Sequence, residues 1–227
     1  MPVYNEALNL EAVLEEWMRV LQPASADLRF LVINDGSRDN SAAVLEAMQA
    51  RHGAFLIVYN RQNAGHGRSC RFGYEEALKL GLEWVFQIDS DGQCDPQYFR
   101  HFLENAQDHD CLFGYRKVRE DGIARKIISV GCRCATIWAT GVDLKDPNVP
   151  YRMMRREALQ NALTKVPAEL DMQNVALSLA LKRDPALRWK YVPMVFRARR
   201  AGENSIHLLK ILRMGWNLLN DLKRVGG

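Results

Sequence analysis

The sequence predicts an α/β protein with a mostly parallel sheet and flanking helices. Short apolar runs of strand length alternate with longer stretches whose apolar residues recur at helical spacing. Polar clusters follow directly after three of the predicted strands, at 34–41, 60–67 and 89–93. Because right-handed crossovers place such loops at the same edge of a sheet, we expect the three clusters to converge on one cleft.

Each element is predicted from its own local pattern. Asn5 is a candidate N-cap for a first helix that begins near Glu6 and ends at Pro23. Asp95-Pro96 would start a helix that buries Phe99, Phe102 and Leu103. The other predicted elements are strands at 28–33, 54–59, 84–88, 151–154 (an edge strand) and 189–195, and helices at 42–50, 68–80, 122–140, 156–163 and 170–181.

The composition limits the classes of function. The 227 residues are enough for one domain with a sizeable core. A net charge of +4 is too small to indicate a nucleic-acid partner. Five cysteines form an odd set without a Cys-x-x-Cys pair, which argues against a zinc site and favours reduced thiols in the cytoplasm. The sequence has no signal peptide and no apolar run long enough to span a bilayer.

The run 84–93 carries the strongest chemical pattern. A buried strand at 84–88 would place Asp89 and Asp91 on the same face at its carboxyl end. These carboxylates, with the amide oxygen of Gln93, suit Mg²⁺ or Mn²⁺ and a phosphate-bearing substrate. A simple polar turn is the alternative, because Asp91-Gly92 is also a strong turn dipeptide.

Six short motifs, in order, resemble the inverting family 2 glycosyltransferases with the GT-A fold, and most closely the polyprenyl-phosphate and dolichol-phosphate sugar transferases. The motifs cover nearly the whole chain. They are Pro2-Val3-Tyr4-Asn5-Glu6, Asn34-Asp35-Gly36-Ser37 with Asp39 and Ser41, Asn63-Ala64-Gly65-His66-Gly67, Asp89-Ser90-Asp91-Gly92-Gln93, Gly114-Tyr115-Arg116, and Val192-Pro193 with Arg199, Gly202 and Ser205.

The resemblance implies a metal-dependent enzyme that moves a sugar from a nucleotide-diphosphate sugar to a polyprenyl phosphate or another membrane-linked glycan acceptor. Mg²⁺ or Mn²⁺ would be held by Asp89, Asp91 and Gln93. Arg125 and Ser129 would meet the acceptor phosphate, although a solvated helix face explains them equally well. The implied donor-binding residues are Pro2, Tyr4, Glu6, Asp35, Arg116 and Arg199.

Asp171 is a candidate catalytic base. Transfer to a hydroxyl needs a carboxylate within hydrogen-bond reach, whereas a lipid phosphate is already ionised and needs none. Capping of the helix that follows is the alternative role for Asp171. For Asp39 and Ser41 we expect capping rather than ligand binding, and for His66 a position in a loop.

Two other functions fit parts of the sequence. A catalytically silent nucleotide-sugar-binding or membrane-adaptor module would keep the fold, but it would not need the intact Asp35, Asp89 and Asp91. A nucleotidyltransferase would share the α/β plan and the metal, but it should carry a glycine-rich basic signature near its first strand.

The chain departs from the family where Asn34 replaces an aspartate and His66 replaces a lysine. It also starts at the opening motif, so we expect at most two or three strand residues before Asn5.

The expected division is a GT-A catalytic domain at 1–205, with a nucleotide-binding half at 1–110 and an acceptor-side half at 111–205, followed by an amphipathic helix at 206–227. Leucines and Trp216 alternate there with a polar stripe of Lys210, Arg213, Asn217, Asn220 and Arg224. We expect 206–225 to contact an anionic membrane surface, which places the protein peripherally on the cytosolic face. Packing on the domain's own core is the alternative.

Overall fold

The computed structural model describes residues 1–118, 137 and 140–197. A 3₁₀ turn lies at Gly53–Phe55. The helices are α1 (Ala7–Leu21), α2 (Ser41–His52), α3 (His66–Lys79), α4 (Tyr98–Asn105), α5 (Arg156–Thr164) and α6 (Gln173–Lys182). The strands are β1 (Pro2–Val3), β2 (Phe30–Asn34), β3 (Leu56–Asn60), β4 (Trp84–Ile88), β5 (Cys111–Val118), β6 (Tyr151–Arg155) and β7 (Trp189–Val195).

The strands form two sheets. The first is parallel throughout, in the order β1-β2-β3, and the second has the order β4-β6-β5-β7. In the second sheet β6 runs antiparallel to both β4 and β5, while β5 and β7 are parallel. The predicted α/β class is confirmed.

The prediction that 151–154 is an edge strand is wrong, because β6 lies between β4 and β5. Residues Tyr151–Met154 are all buried, and they include the charged Arg152 at 0% exposure. A charged residue in so short a run is typical of an edge strand. Here the guanidinium turns instead to backbone carbonyls, as described below.

Strand β1 contains only two residues, which pair Pro2 with Ile33 and Val3 with Asn34. The expectation of at most three strand residues before Asn5 is therefore confirmed. The amino group of Met1 donates to the Leu31 carbonyl at 2.9 Å, so the chain enters the sheet at its very first residue.

An aromatic cluster packs helices α1 and α4 against the second sheet. Trp17 of α1 packs against Phe86 of β4 and Tyr151 of β6, with both pairs of ring centroids 5.8 Å apart. Phe102 of α4 closes the cluster at 4.9 Å from Tyr151. Leu103, which we predicted to be buried, is 39% exposed because α4 turns Phe99 and Phe102 inward instead.

The start of α1 differs from the prediction. The helix begins at Ala7, and Asn5 does not cap it: Asn5 has a positive φ of 54°, and its side-chain oxygen accepts the Arg38 amide at 2.8 Å. The Ala7 amide instead donates to the Asp39 carboxylate at 3.0 Å. Asp39 thus caps α1, a helix distant from it in sequence, whereas the expected cap was for the helix that follows this turn.

Among the helices that the structure describes, none is both long enough and apolar enough to cross a bilayer. The predicted helix at 122–140 falls almost wholly outside the described residues, and so do Arg125 and Ser129. Arg199 and the C-terminal stretch 206–227 also lie outside them.

Candidate active site

The loops after β2 and β3 are joined through Asp35. Its two carboxylate oxygens accept the amides of Ala64 and Gly65, each at 2.9 Å, and the Asn63 side chain donates to the Asp35 carbonyl at 2.9 Å. Gly36 has a φ of 68°, and a β-carbon there would lie 2.7 Å from the Asn63 amide nitrogen. Asp35 is only 3% exposed, so in this structure it holds one loop against the other.

The opening segment packs on the same loop. The Asn5 amide donates to the Ser37 hydroxyl and the Glu6 amide to the Ser41 hydroxyl, both at 3.0 Å. Pro2 is buried in β1 and Glu6 is 8% exposed, whereas Tyr4 is 43% exposed. Of the three, Tyr4 therefore presents the most surface to a ligand.

Asp89 and Asp91 follow β4 at its carboxyl end, as predicted. Gln87 donates to Asp89 Oδ1 at 3.4 Å, and the Gln93 amide donates to Asp91 Oδ1 at 3.1 Å. Burial, and then the charges of Asp89 and Asp91, raise the pKa of the Cys94 thiol well above its ordinary value. Each carboxylate is thus held by a hydrogen bond at the end of β4.

A buried network of polar side chains leads to Asp89 through Gln87. The Tyr74 hydroxyl contacts Gln87 Oε1 at 2.6 Å and Asn174 Oδ1 at 3.0 Å, and Gln87 in turn donates to Asp89. These partners fix the Gln87 amide, so its donation orients the Asp89 carboxylate. Gln87 interrupts an apolar strand, and this signal in the sequence could have identified the network.

The loop of Gln93 is tied to the end of β7. The Arg197 amide donates to the Gln93 carbonyl at 3.0 Å, and the Gln93 side chain donates back to the Arg197 carbonyl at 3.2 Å. The Arg197 guanidinium also pairs with Asp95 at 2.8 Å and with Glu16 of α1. Arg197 was not predicted as a site residue, although a basic run starts there in the sequence.

The expected loop position of His66 is wrong, because His66 is the first residue of α3, where it lies close to Asp89. Its Nε2 lies 3.9 Å from Asp89 Oδ1 and 3.5 Å from Cys70 Sγ. The Cys70 sulfur and then the Asp89 carboxylate raise the pKa of His66, although water screens both because half of the His66 side chain is exposed. The three polar clusters thus converge, as the sequence predicted.

Asp171 approaches the same region from the segment before α6. A β-carbon at Gly67 would lie 2.9 Å from the Asp171 carbonyl carbon, so this close approach requires glycine. The Asp171 carboxylate pairs with Arg68 at 3.5 Å and is 76% exposed. Helix α6 begins at Gln173 without a side-chain cap, so the capping alternative for Asp171 is not observed.

Arg116 reaches the site from β5. Its Nη1 donates to the two carboxylate oxygens of Asp146 at 3.3 and 3.1 Å, and its guanidinium lies 4.5 Å from the centre of the Phe196 ring. Phe196 directly precedes Arg197, whose backbone is bonded to Gln93, so Arg116 packs beside the segment that holds the Gln93 loop. Its ion pair with Asp146 was not predicted from the sequence.

The loop that carries Asp146 is fixed by the buried Arg152. Its guanidinium donates to the carbonyls of Val149 at 2.6 Å, Asn174 at 3.0 Å and Pro147 at 3.3 Å. Backbone carbonyls therefore satisfy much of a charge that has no contact with water. In the sequence, a charged residue within the otherwise apolar run 151–154 was the available signal that Arg152 is buried and fixes a loop.

Asp89, Asp91 and Gln93 carry oxygen ligands that suit a divalent ion and would leave some of its coordination positions free for a substrate. Two carboxylates and one amide oxygen are hard ligands of the kind that Mg²⁺ and Mn²⁺ prefer. Across residues 1–118 and 140–197 there is no cluster of three or more His, Cys, Asp or Glu side chains that could hold a metal by itself. An ion bound by Asp89, Asp91 and Gln93 would therefore depend on substrate phosphates and water to complete its coordination.

Comparison with curated proteins finds relatives that are named undecaprenyl-phosphate 4-deoxy-4-formamido-L-arabinose transferase. The protein from Sodalis glossinidius is 25% identical over 224 residues, which is 98% of this chain and 66% of the relative. The Pseudomonas aeruginosa protein is 30% identical over 169 residues, or 72% of this chain and 48% of the relative. The chain thus spans about half to two thirds of the length of these relatives.

Solved structures share the fold at low identity. Glucosyl-3-phosphoglycerate synthase from Mycobacterium tuberculosis, in complex with Mn²⁺, UDP-glucose and phosphoglyceric acid, is 17% identical with a TM-score of 0.66, covering 99% of this chain and 78% of that one. A mannosyltransferase from Pyrobaculum calidifontis, in complex with GDP-mannose and Mn²⁺, is 17% identical with a TM-score of 0.59, covering 85% and 53%. These neighbours confirm the GT-A fold.

The family assignment follows from a wider match. The model of glycosyl transferase family 2 matches residues 1–163, which include the opening motif, the loops after β2 and β3, the carboxylates after β4, and Asp146. The chain therefore belongs to glycosyl transferase family 2.

Proposed function

We propose that this chain transfers a sugar, with inversion, from a nucleotide-diphosphate sugar to a polyprenyl phosphate. The observation that supports this most is the meeting of the loops after β2, β3 and β4 around Asp89, with the segments of Asp171 and Arg197 at its sides. The chemistry of the acceptor is inferred from the relatives, whose names describe transfer to undecaprenyl phosphate.

The nucleotide would lie against the opening segment and the loop after β2. Tyr4 is exposed there and would pack on the base, with Pro2 and Glu6 shaping the floor. Asp35 would act at this end mainly by fixing the loop that covers the nucleotide, since both its oxygens already hold loop amides. Arg116 and Arg199 would face the phosphates, where a guanidinium can bind two oxygens at once.

The diphosphate would leave beside Asp89 and Asp91. A bound Mg²⁺ or Mn²⁺ would supply Lewis-acid stabilisation of the charge that develops there. The chain's own contribution is positioning: Gln87 and His66 orient Asp89, while the backbone of Gln93 orients Asp91. Such preorganised electrostatics account for a large part of the rate in enzymes of this kind.

The acceptor phosphate would attack the sugar from the side opposite the leaving diphosphate, which inverts the configuration. An ionised phosphate oxygen needs no base, so Asp171 would be dispensable as a proton acceptor. Arg125 and Ser129 would hold that phosphate. The stretch 206–225 would keep the catalytic domain, 1–205, on the cytosolic membrane face beside its lipid acceptor.

A transfer assay tests this proposal. The purified chain is incubated with a panel of nucleotide sugars, Mg²⁺ or Mn²⁺, and either polyprenyl phosphate or the matching polyprenol. We expect transfer to the phosphate alone, a loss of about a hundredfold or more in Asp91→Asn, and little change in Asp108→Asn, which removes an exposed carboxylate outside the site.

The Asp171→Asn variant separates the two acceptor chemistries. It should retain most of the transfer to polyprenyl phosphate, whereas loss of transfer to a hydroxyl acceptor would identify Asp171 as the base. Donor binding without transfer to either acceptor would contradict the proposal and would indicate a silent nucleotide-sugar-binding module.

A further inference from the structure

Arg197 follows the last described strand, β7, and is bonded twice to Gln93. Its amide donates to the Gln93 carbonyl at 3.0 Å, and the Gln93 side-chain nitrogen donates back to the Arg197 carbonyl at 3.2 Å. These two hydrogen bonds hold both the backbone and the side chain of Gln93. The two residues are 104 positions apart in the sequence, so a distant strand end fixes the geometry of this loop.

The hydrogen bonds of Gln93 decide which of its atoms could meet an ion. Its backbone amide donates to Asp91 Oδ1 at 3.1 Å, while its carbonyl and its side-chain nitrogen are both bonded to Arg197. The side-chain oxygen is an acceptor, and it is a hard ligand of the kind that Mg²⁺ and Mn²⁺ prefer. Arg197 therefore selects the amide orientation that engages the nitrogen and leaves the oxygen to accept.

The guanidinium of Arg197 is itself held from two sides. Its Nη2 pairs with Asp95 Oδ1 at 2.8 Å, and its Nη1 pairs with Glu16 of α1. Asp95 also accepts the amide of Gln97 at 3.0 Å, immediately before α4. Because the planar guanidinium presents its donors at fixed angles, one side chain can link carboxylates from separate elements in a single geometry.

These ion pairs are partly shielded from water. The side chains of Arg197, Glu16 and Asp95 are 34%, 25% and 10% exposed. Fully exposed pairs contribute little to stability, whereas charge-assisted hydrogen bonds that are partly buried keep more of their strength. Both arms of the guanidinium are bonded to carboxylates, so Arg197 acts as a link between elements and not as a ligand of the donor phosphates.

We propose that Arg197 is a positioning residue for the divalent ion. It holds the Gln93 side chain, and through the Gln93 amide the Asp91 carboxylate, in the arrangement that binds the metal. This inference rests on the proposed function, because it requires an ion at these residues. Asp89 is oriented separately by Gln87, so loss of the Arg197 side chain should weaken binding of the ion without abolishing it.

Calorimetry with Arg197→Met tests the inference. UDP and GDP are titrated with and without Mn²⁺ onto this variant, the original chain and the control Arg155→Met. The control also loses a guanidinium that pairs with two carboxylates, those of Glu83 and Asp110, but it lies at the opposite end of β4, beside Trp84.

For the nucleotide that binds, we expect Arg197→Met to raise the Kd about tenfold when Mn²⁺ is present and less than twofold when it is absent. The control should change less than twofold in both conditions. An equal loss with and without Mn²⁺ would show a general structural role and would overturn the inference, and so would an unchanged Kd. If Mn²⁺ does not tighten binding to the original chain, the proposed function fails and the inference fails with it.

Two further variants keep the inference testable if Arg197→Met does not fold. Arg197→Lys keeps the charge but cannot bridge both carboxylates, and Glu16→Gln leaves the pair between Arg197 and Asp95 in place. We expect both to weaken binding only when Mn²⁺ is present, and Glu16→Gln to do so less than Arg197→Lys. If neither variant shows a loss that depends on Mn²⁺, the positioning role of Arg197 is wrong.

Discussion

A methyl group at Gly67 tests the packing that brings Asp171 to the cleft. The added carbon would lie 2.9 Å from the Asp171 carbonyl carbon, 3.3 Å from the Gln173 amide nitrogen, and closer still to the Asp171 carbonyl oxygen. Carbon atoms in contact prefer about 3.5–4.0 Å. Because these neighbours are backbone atoms, the segment before α6 must move rather than a flexible side chain.

The expected cost of Gly67→Ala combines two opposing effects. Overpacking against backbone costs up to about 3 kcal/mol, and the better helix propensity of alanine returns about 1 kcal/mol. The net loss of about 2 kcal/mol corresponds to a fall in Tm of about 4–8 °C for a chain of this size.

Urea unfolding of Gly67→Ala is compared with that of Gly73→Ala, which lies in the same helix. At Gly73 the added carbon would meet the Ile33 side chain at 3.3 Å, a neighbour that can adjust, so we expect stability within about 1 kcal/mol of the original chain. If Gly67→Ala is as stable as Gly73→Ala, the close packing of Asp171 on α3 is wrong.

Three other predictions follow from single contacts or from the sequence pattern. Replacing Asp35 by Asn should cost about 1–3 kcal/mol in urea unfolding, because one side-chain oxygen that accepts Ala64 or Gly65 becomes a donor; unchanged stability would refute its role as loop anchor. The pKa of the Met1 amine is lowered from 8.0 to about 6, so between these values the unfolded chain binds more protons and stability should rise with pH, by up to about 3 kcal/mol. Amino-terminal acetylation should abolish this rise, and the same rise in the acetylated chain would refute burial of the amine. In vesicle sedimentation, the full chain should pellet with anionic vesicles and a chain ending at Ser205 should not; if both remain in the supernatant, the membrane role of 206–225 fails.

The sequence predicted the elements whose signals are local. Strand β4 has the bounds expected from its apolar run and the carboxylates that follow, and β7 also matches its predicted range, 189–195. The meeting of the polar clusters was predictable as well, because the handedness of crossovers fixes the edge to which such loops go.

Features that depend on distant partners could not be predicted in this way. Nothing near Tyr151 shows that β6 pairs on both sides, since its neighbours β4 and β5 come from residues far away in the chain. The capping of α1 by Asp39 could not be predicted for the same reason, because the two are far apart in the sequence. Arg197 and Arg152 were missed because their partners include backbone carbonyls, which leave no trace in a pattern of residue types.

The central claim is that the end of β4 holds a divalent ion against the diphosphate of a nucleotide, and calorimetry tests it most directly. UDP and GDP are titrated onto the chain with and without Mn²⁺, and the titrations are repeated for Asp91→Asn and for the control Asp108→Asn. We predict that Mn²⁺ tightens the binding of one of these nucleotides at least tenfold, about 1.4 kcal/mol, in the original chain and the control, but not in Asp91→Asn. Binding that is independent of Mn²⁺ in the original chain, or an equal response in both variants, would contradict the claim.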